Sequence, residues 1–130
     1  MSVPRARIVF KLLARIFAVF ILIQVFLAGL ALFWNSDQWA SHAMFSRFLI
    51  IPPILMLVAS FFARLPVSFR LSSAGLIVLL ILMGVFAKLP SDIGYLSALH
   101  PVLALMMFFG TVSLARKTDA LNNDSAEQSV

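Results

Sequence analysis

Four long stretches of this chain carry almost no charge, and polar or basic residues punctuate them. Ile16–Trp34 is uncharged throughout. Ala43–Ala63 is broken only by Arg47 near its start and by Pro52-Pro53 near its middle. Leu71–Ala87 runs from Arg70 to Lys88, and Ser97–Ala115 stops at Arg116-Lys117. The last stretch, of about 19 residues, rises ~28 Å as an α-helix, close to the ~30 Å hydrocarbon core of a bilayer. The pattern predicts an all-α integral membrane four-helix bundle, up-down-up-down, with helices over about residues 8–34, 43–63, 71–88 and 97–115.

The connections fit this reading. Trp34-Asn35-Ser36-Asp37-Gln38-Trp39 is a polar turn bracketed by tryptophans, the mark of a membrane–water interface. Arg64-Leu65-Pro66-Val67-Ser68-Phe69-Arg70 is short enough to make its flanking helices antiparallel neighbours. Lys88–Tyr95 is the third connection. Each proline of Pro52-Pro53 removes a helical donor, so a mid-span kink is predicted in the second helix. Ser73, Ala74, Gly75 and Gly84 are small residues suited to close helix approach in the third. Residues 1–117 form the transmembrane domain on this reading. Thr118–Val130 is too polar to bury a core and is predicted to be a disordered cytoplasmic tail.

Composition sharpens the class. The chain of 130 residues is 62 % hydrophobic and 12 % charged, with a mean hydropathy of +1.05. Soluble domains carry about twice that share of charge. The net charge of +5 does not point to nucleic acid, because the basic residues flank apolar spans rather than forming a solvated face. Eight of the ten Lys and Arg fall on one side of the predicted membrane and only Arg47 and Lys88 on the other. The positive-inside rule then places both termini in the cytoplasm. A signal peptide also begins basic and continues apolar, but its apolar region is about 7–15 residues, shorter than the run here, so a retained first helix is expected. With no cysteine there is no disulfide, thiol nucleophile or thiolate metal site.

On that topology His42 and His100 lie near the outward ends of the second and fourth helices, within reach of a common interior site. Imidazole is a common neutral ligand of transition metals and an axial ligand of haem iron. The pair could hold haem b or a transition metal ion. Arg47, about a turn deeper than His42, could answer a haem propionate. The alternative is that both histidines only cap helices or meet headgroups. Pro101 restrains His100 to the first turn of a helix or to a kink just inside it. Gln24, ten residues before Trp34, is expected near mid-membrane, facing another helix. That depth would put it out of reach of an ion held by the histidines. Its amide is expected either to bridge helices or to touch a buried quinone-like ligand.

The absences matter as well. Asp37, Asp92, Asp119, Asp124 and Glu127 all lie outside the apolar runs, which weakens an ion-coupled permease. No phosphate loop, HExxH zinc motif or serine-nucleophile elbow occurs, so hydrolytic chemistry is disfavoured and an enzyme is not the leading reading. Met44, Met56, Met83, Met106 and Met107 are read as packing residues, with copper transport as the alternative.

At Gln24-Val25-Phe26-Leu27-Ala28-Gly29 and at Leu99-His100-Pro101 the chain resembles an uncharacterised bacterial family of small four-helix membrane proteins. Such proteins carry Gln-x-x-x-Ala-Gly on the first helix, a histidine opening the second and His-Pro opening the fourth. The resemblance implies the four-span architecture and a bacterial inner-membrane location, and it implies no activity. The histidine layout is also similar to that of two-histidine membrane cytochromes. Three readings follow, of which a small-molecule permease is the one weakened by the missing intramembrane charges. Of the remaining two, one is a small membrane protein binding haem or a metal for a redox or assembly role. The other is a non-catalytic membrane subunit or scaffold that packs against a partner protein or a second copy of itself.

Overall fold

The computed structural model describes residues 2–127 and is helical throughout its described elements. They are α1 (Val3–Phe33), α2 (Gln38–Ser46), α3 (Ile51–Phe62), α4 (Val67–Phe86), a 3-10 helix (Ser91–Ala98) and α5 (Leu99–Glu127). Four segments are long and apolar enough to cross a membrane: Val3–Phe33, Gln38–Phe62, Val67–Phe86 and Asp92–Asn123. Helix α1 packs on α5 and α3, α3 on α4, and α4 on α5, which closes a ring of four, while α2 leans on α1.

Helix α1 shows why hydropathy finds the spans but not their inward faces. Its buried residues Ala6, Phe10, Ala14, Phe17, Ile21 and Gln24 recur at helical spacing and form one stripe toward the core. The opposite face is just as apolar, with Ile8, Leu12, Val19, Leu22 and Phe26 exposed. In lipid both faces are oily, so inward and outward are separated by packing rather than polarity. Gly75 and Gly84 lie against open space and do not mark a close helix approach; the buried small residue of α4 is Ser73, whose hydroxyl donates to the Phe69 carbonyl.

The second span is not one kinked helix. It is two helices separated by a turn at residues 47–50, and Pro52 and Pro53 lie in the first turn of α3. Proline costs nothing there, because its missing N–H would have no intrahelical partner. Through the break the bonds shorten to three-residue steps: Phe48 N donates to Phe45 O, Leu49 N to Ser46 O and Ile51 N to Phe48 O. The two prolines therefore end one helix and begin the next instead of bending a continuous one. Replacing both with alanine restores two donors and is expected to fuse α2 and α3. The chain has no cysteine, so spin labels at Ser41→Cys and Phe62→Cys report directly. Fusion should bring their separation toward ~31 Å, the rise of a straight helix over that interval. An unchanged distance would show that packing, not the prolines, sets the break.

Helix α3 ends in a left-handed cap. Leu65 N donates to Ser60 O at 3.0 Å and Arg64 N to Phe61 O at 3.2 Å, with Arg64 at φ 47°. Glycine usually occupies this position, because a β-carbon there costs about 1–2 kcal/mol. Arg64→Gly is expected to raise stability by about 0.5–1 kcal/mol, the strain relieved less the glycine's extra chain entropy. A lowered midpoint in detergent unfolding would mean that the guanidinium makes a contact worth more than the strain.

Beyond Ala115, α5 continues where the polar composition suggests an unstructured tail. Asp119 receives Lys11 Nζ at 2.7 Å and Arg15 Nη2 at 3.3 Å, and the Leu121 carbonyl accepts from Arg7 Nη1. Thr118 is buried and its hydroxyl donates to Leu114 O. The basic face of α1, which recurs every fourth residue, is therefore partly neutralised by α5, and the pairing carries the helix on to Glu127. Residues 128–130 of the expected tail lie outside the described residues.

Candidate functional site: a histidine pair at one end of the bundle

At the end opposite the Lys11–Asp119 pair, all four spans contribute to one layer. The turn after α1 closes when Asn35 N donates to Leu30 O, and Asn35 Oδ1 then accepts Asp37 N, which launches α2. His42 follows in the second turn of α2. On the far side, Ser97 Oγ donates to Phe86 O at 2.7 Å and ties the 3-10 helix to the end of α4. His100 comes next, as the second residue of α5. Its position resolves the His-Pro step as a helix start, with Pro101 harmless in the first turn.

The two imidazoles meet across the bundle with ring centroids 6.3 Å apart and planes inclined by 48°. Helix α2 itself makes no close backbone approach to α5 among the described residues, and the two rings reach across the gap. His42 is also held from behind. His42 Nδ1 lies 3.1 Å from the Gln24 carbonyl; a carbonyl only accepts, so Nδ1 carries the proton and the lone pair of neutral His42 is left on Nε2. The main-chain carbonyl of Met83 on α4 lies near the His100 ring. In metal-ligating histidines a second bond like that of His42 Nδ1 fixes tautomer and ring direction. Trp39 stands edge-on to His42 at 5.5 Å and 82°.

Gln24 differs from its expected depth. Its Nε2 donates to the His42 carbonyl at 2.9 Å, reciprocating the ring's bond to its own main chain. The helix ends are not level: α1 rises ~13 Å from Gln24 to Phe33, whereas α2 runs only ~6 Å from Gln38 to His42. Gln24 therefore belongs to the histidine layer rather than lying beneath it. The residue is 8 % exposed, and its Oε1 is buried with no hydrogen-bond partner.

Arg47 is not brought to the pair. It caps the C-terminus of α2, exposed, five residues after His42 and so about 140° around the helix. Sequence reasoning missed the Met83 carbonyl, for which no side-chain signal exists, and the contact role of Trp39. The latter was legible as an i, i+3 pair with His42 on one helix face.

Residues 24–87 are similar to DUF6220, a family of unknown function. The match bears out the resemblance to an uncharacterised family. The matched segment opens at Gln24 and takes in His42, the helix break and Met83, and it ends before His100. No curated protein and no solved structure matches the chain.

Proposed function

We propose that this is a multi-pass membrane protein that binds a transition-metal ion between His42 and His100, in a bacterial inner membrane with the histidine layer facing away from the cytoplasm. The observation that carries the reading is the 6.3 Å centroid separation of the two rings, with His42 Nδ1 held by the Gln24 carbonyl. A metal ~2.0–2.1 Å from each ligating nitrogen, with each nitrogen about 1.1 Å from its ring centre, holds two centroids about 5 Å apart in a tetrahedral site and ~6.3 Å apart in a linear one. The centroid separation thus falls within the range that two imidazoles on one metal span. Ring inclination is no obstacle, because rotation about each metal–nitrogen bond leaves it free.

The same separation suits axial ligation of haem iron. The haem reading is the weaker of the two, since Arg47 lies around the helix from His42 and supplies no partner to a propionate. The orientation rests on the charge asymmetry of the connections, and the bacterial assignment on the family resemblance. The test is metal and pigment analysis of the full chain in nanodiscs, titrated in turn with Cu(I), Zn(II), Co(II) and haem. One equivalent of one of these per chain is the expected result. No binding of any of them would leave the membrane-scaffold reading in its place.

A further inference from the structure

We infer that the histidine pair is a two-coordinate site for a monovalent soft ion, Cu(I), rather than a zinc-type site; the inference rests on the metal-binding reading above and narrows it. The first argument is geometric. A centroid separation of 6.3 Å lies at the linear limit for two imidazoles on one metal, about an ångström beyond the tetrahedral value. A filled d-shell monovalent ion accepts two ligands in line, whereas Zn(II) takes three protein ligands and a water, or four.

The second argument is the ligand inventory. Among the described residues, no group of three His, Cys, Asp or Glu could hold a metal ion. A zinc-type site therefore lacks its third protein ligand, and a linear site needs none.

The third is charge. Among the described residues, the layer contains no anionic side chain. Asp37 and Asp92, in the neighbouring turn and 3-10 helix, are exposed, as are the cations Arg47 and Lys88. The Born cost of burying an ion grows with the square of its charge, so an uncompensated divalent ion costs about four times as much to desolvate as a monovalent one. Neutral imidazoles suit the lower charge.

The fourth is independent of the histidines. Gln24 Oε1, the negative end of an amide dipole, is buried in the same layer without a donor. Leaving an acceptor so buried costs about 1–3 kcal/mol. A cation in the layer offsets part of that cost, and an apolar or anionic occupant does not.

The experiment is an anaerobic competition on the full chain in nanodiscs, with ascorbate present and bicinchoninate as the chromophoric competitor for Cu(I). Zn(II) and Co(II) are measured against their own indicators, and X-ray absorption is recorded on the loaded protein. The expected result is one Cu(I) per chain, two nitrogen scatterers, and a preference over Zn(II) of at least about 100-fold, in the direction the ligand-number argument requires. Zn(II) or Co(II) bound equally well, with four scatterers, would overturn the Cu(I) assignment and leave the histidine–metal reading intact. No metal and no haem bound would remove both. Cu(I) that stays bound after His100→Gln, in protein whose unfolding midpoint is unchanged, would place the ion elsewhere and also overturn the assignment.

Discussion

Replacing either His42 or His100 with alanine is expected to lower metal affinity at least about 100-fold, with loss of the one-to-one stoichiometry. Groups that merely hold a ligand in place account for about 10–100-fold in known sites, so losing a ligand itself exceeds that range. Among the described residues the layer holds no third histidine, cysteine or carboxylate in a metal-binding group with the pair, so no like ligand replaces the missing nitrogen. Gln24→Leu is a different kind of change. It removes the bond to the His42 carbonyl but leaves the main-chain oxygen that fixes His42 Nδ1. An affinity loss of about 10-fold is expected, with stoichiometry and ligand spectrum preserved. Isothermal titration with the metal that the intact protein binds would check all three variants. Equal losses for Gln24→Leu and His42→Ala would mean that the layer collapses as a unit rather than containing two ligands and a support. No loss in either histidine variant would exclude the pair as the site.

Phe10→Ala is expected to be the most damaging change outside the layer, at about 3–5 kcal/mol. Phe10 is fully buried and meets Phe69 of α4 edge to face, with centroids 5.8 Å apart and planes at 68°. Ala6 and Ala14, one turn to either side, are also fully buried. No flexible side chain on that face of α1 can fill the void, and small neighbours relax poorly. The aromatic pair itself contributes about 0.5–1.5 kcal/mol of the loss. Ile8→Ala serves as the control, because Ile8 faces outward at 55 % exposure and lipid chains replace what it loses. Steric-trap or detergent unfolding of both variants should separate them clearly. A Phe10→Ala protein within about 1 kcal/mol of the parent would mean that this end of the bundle repacks freely.

A good deal was legible in the order of residues. A run of apolar side chains about 30 Å long as a helix has few stable homes besides a bilayer, and four such runs predict four spans. The His42–His100 approach was also legible. Two histidines that open spans running the same way start at the same end, and Pro101 pins one of them there. The family resemblance pointed to Gln24 and the His-Pro step; the DUF6220 match covers the first and ends before the second.

Tertiary structure decided three matters that the sequence alone left open or misplaced. Helices apolar on every side carry no polarity signal for their inward face, so only packing shows that Phe10 and Phe17 are core while Leu12 and Val19 meet lipid. Span lengths do not fix how helix ends are offset, and that offset brings Gln24 level with His42. Local composition treats Thr118–Glu127 as tail. A carboxylate more than a hundred residues from its partners along the chain, Asp119 against Lys11 and Arg15, is a contact that only the closed bundle can make.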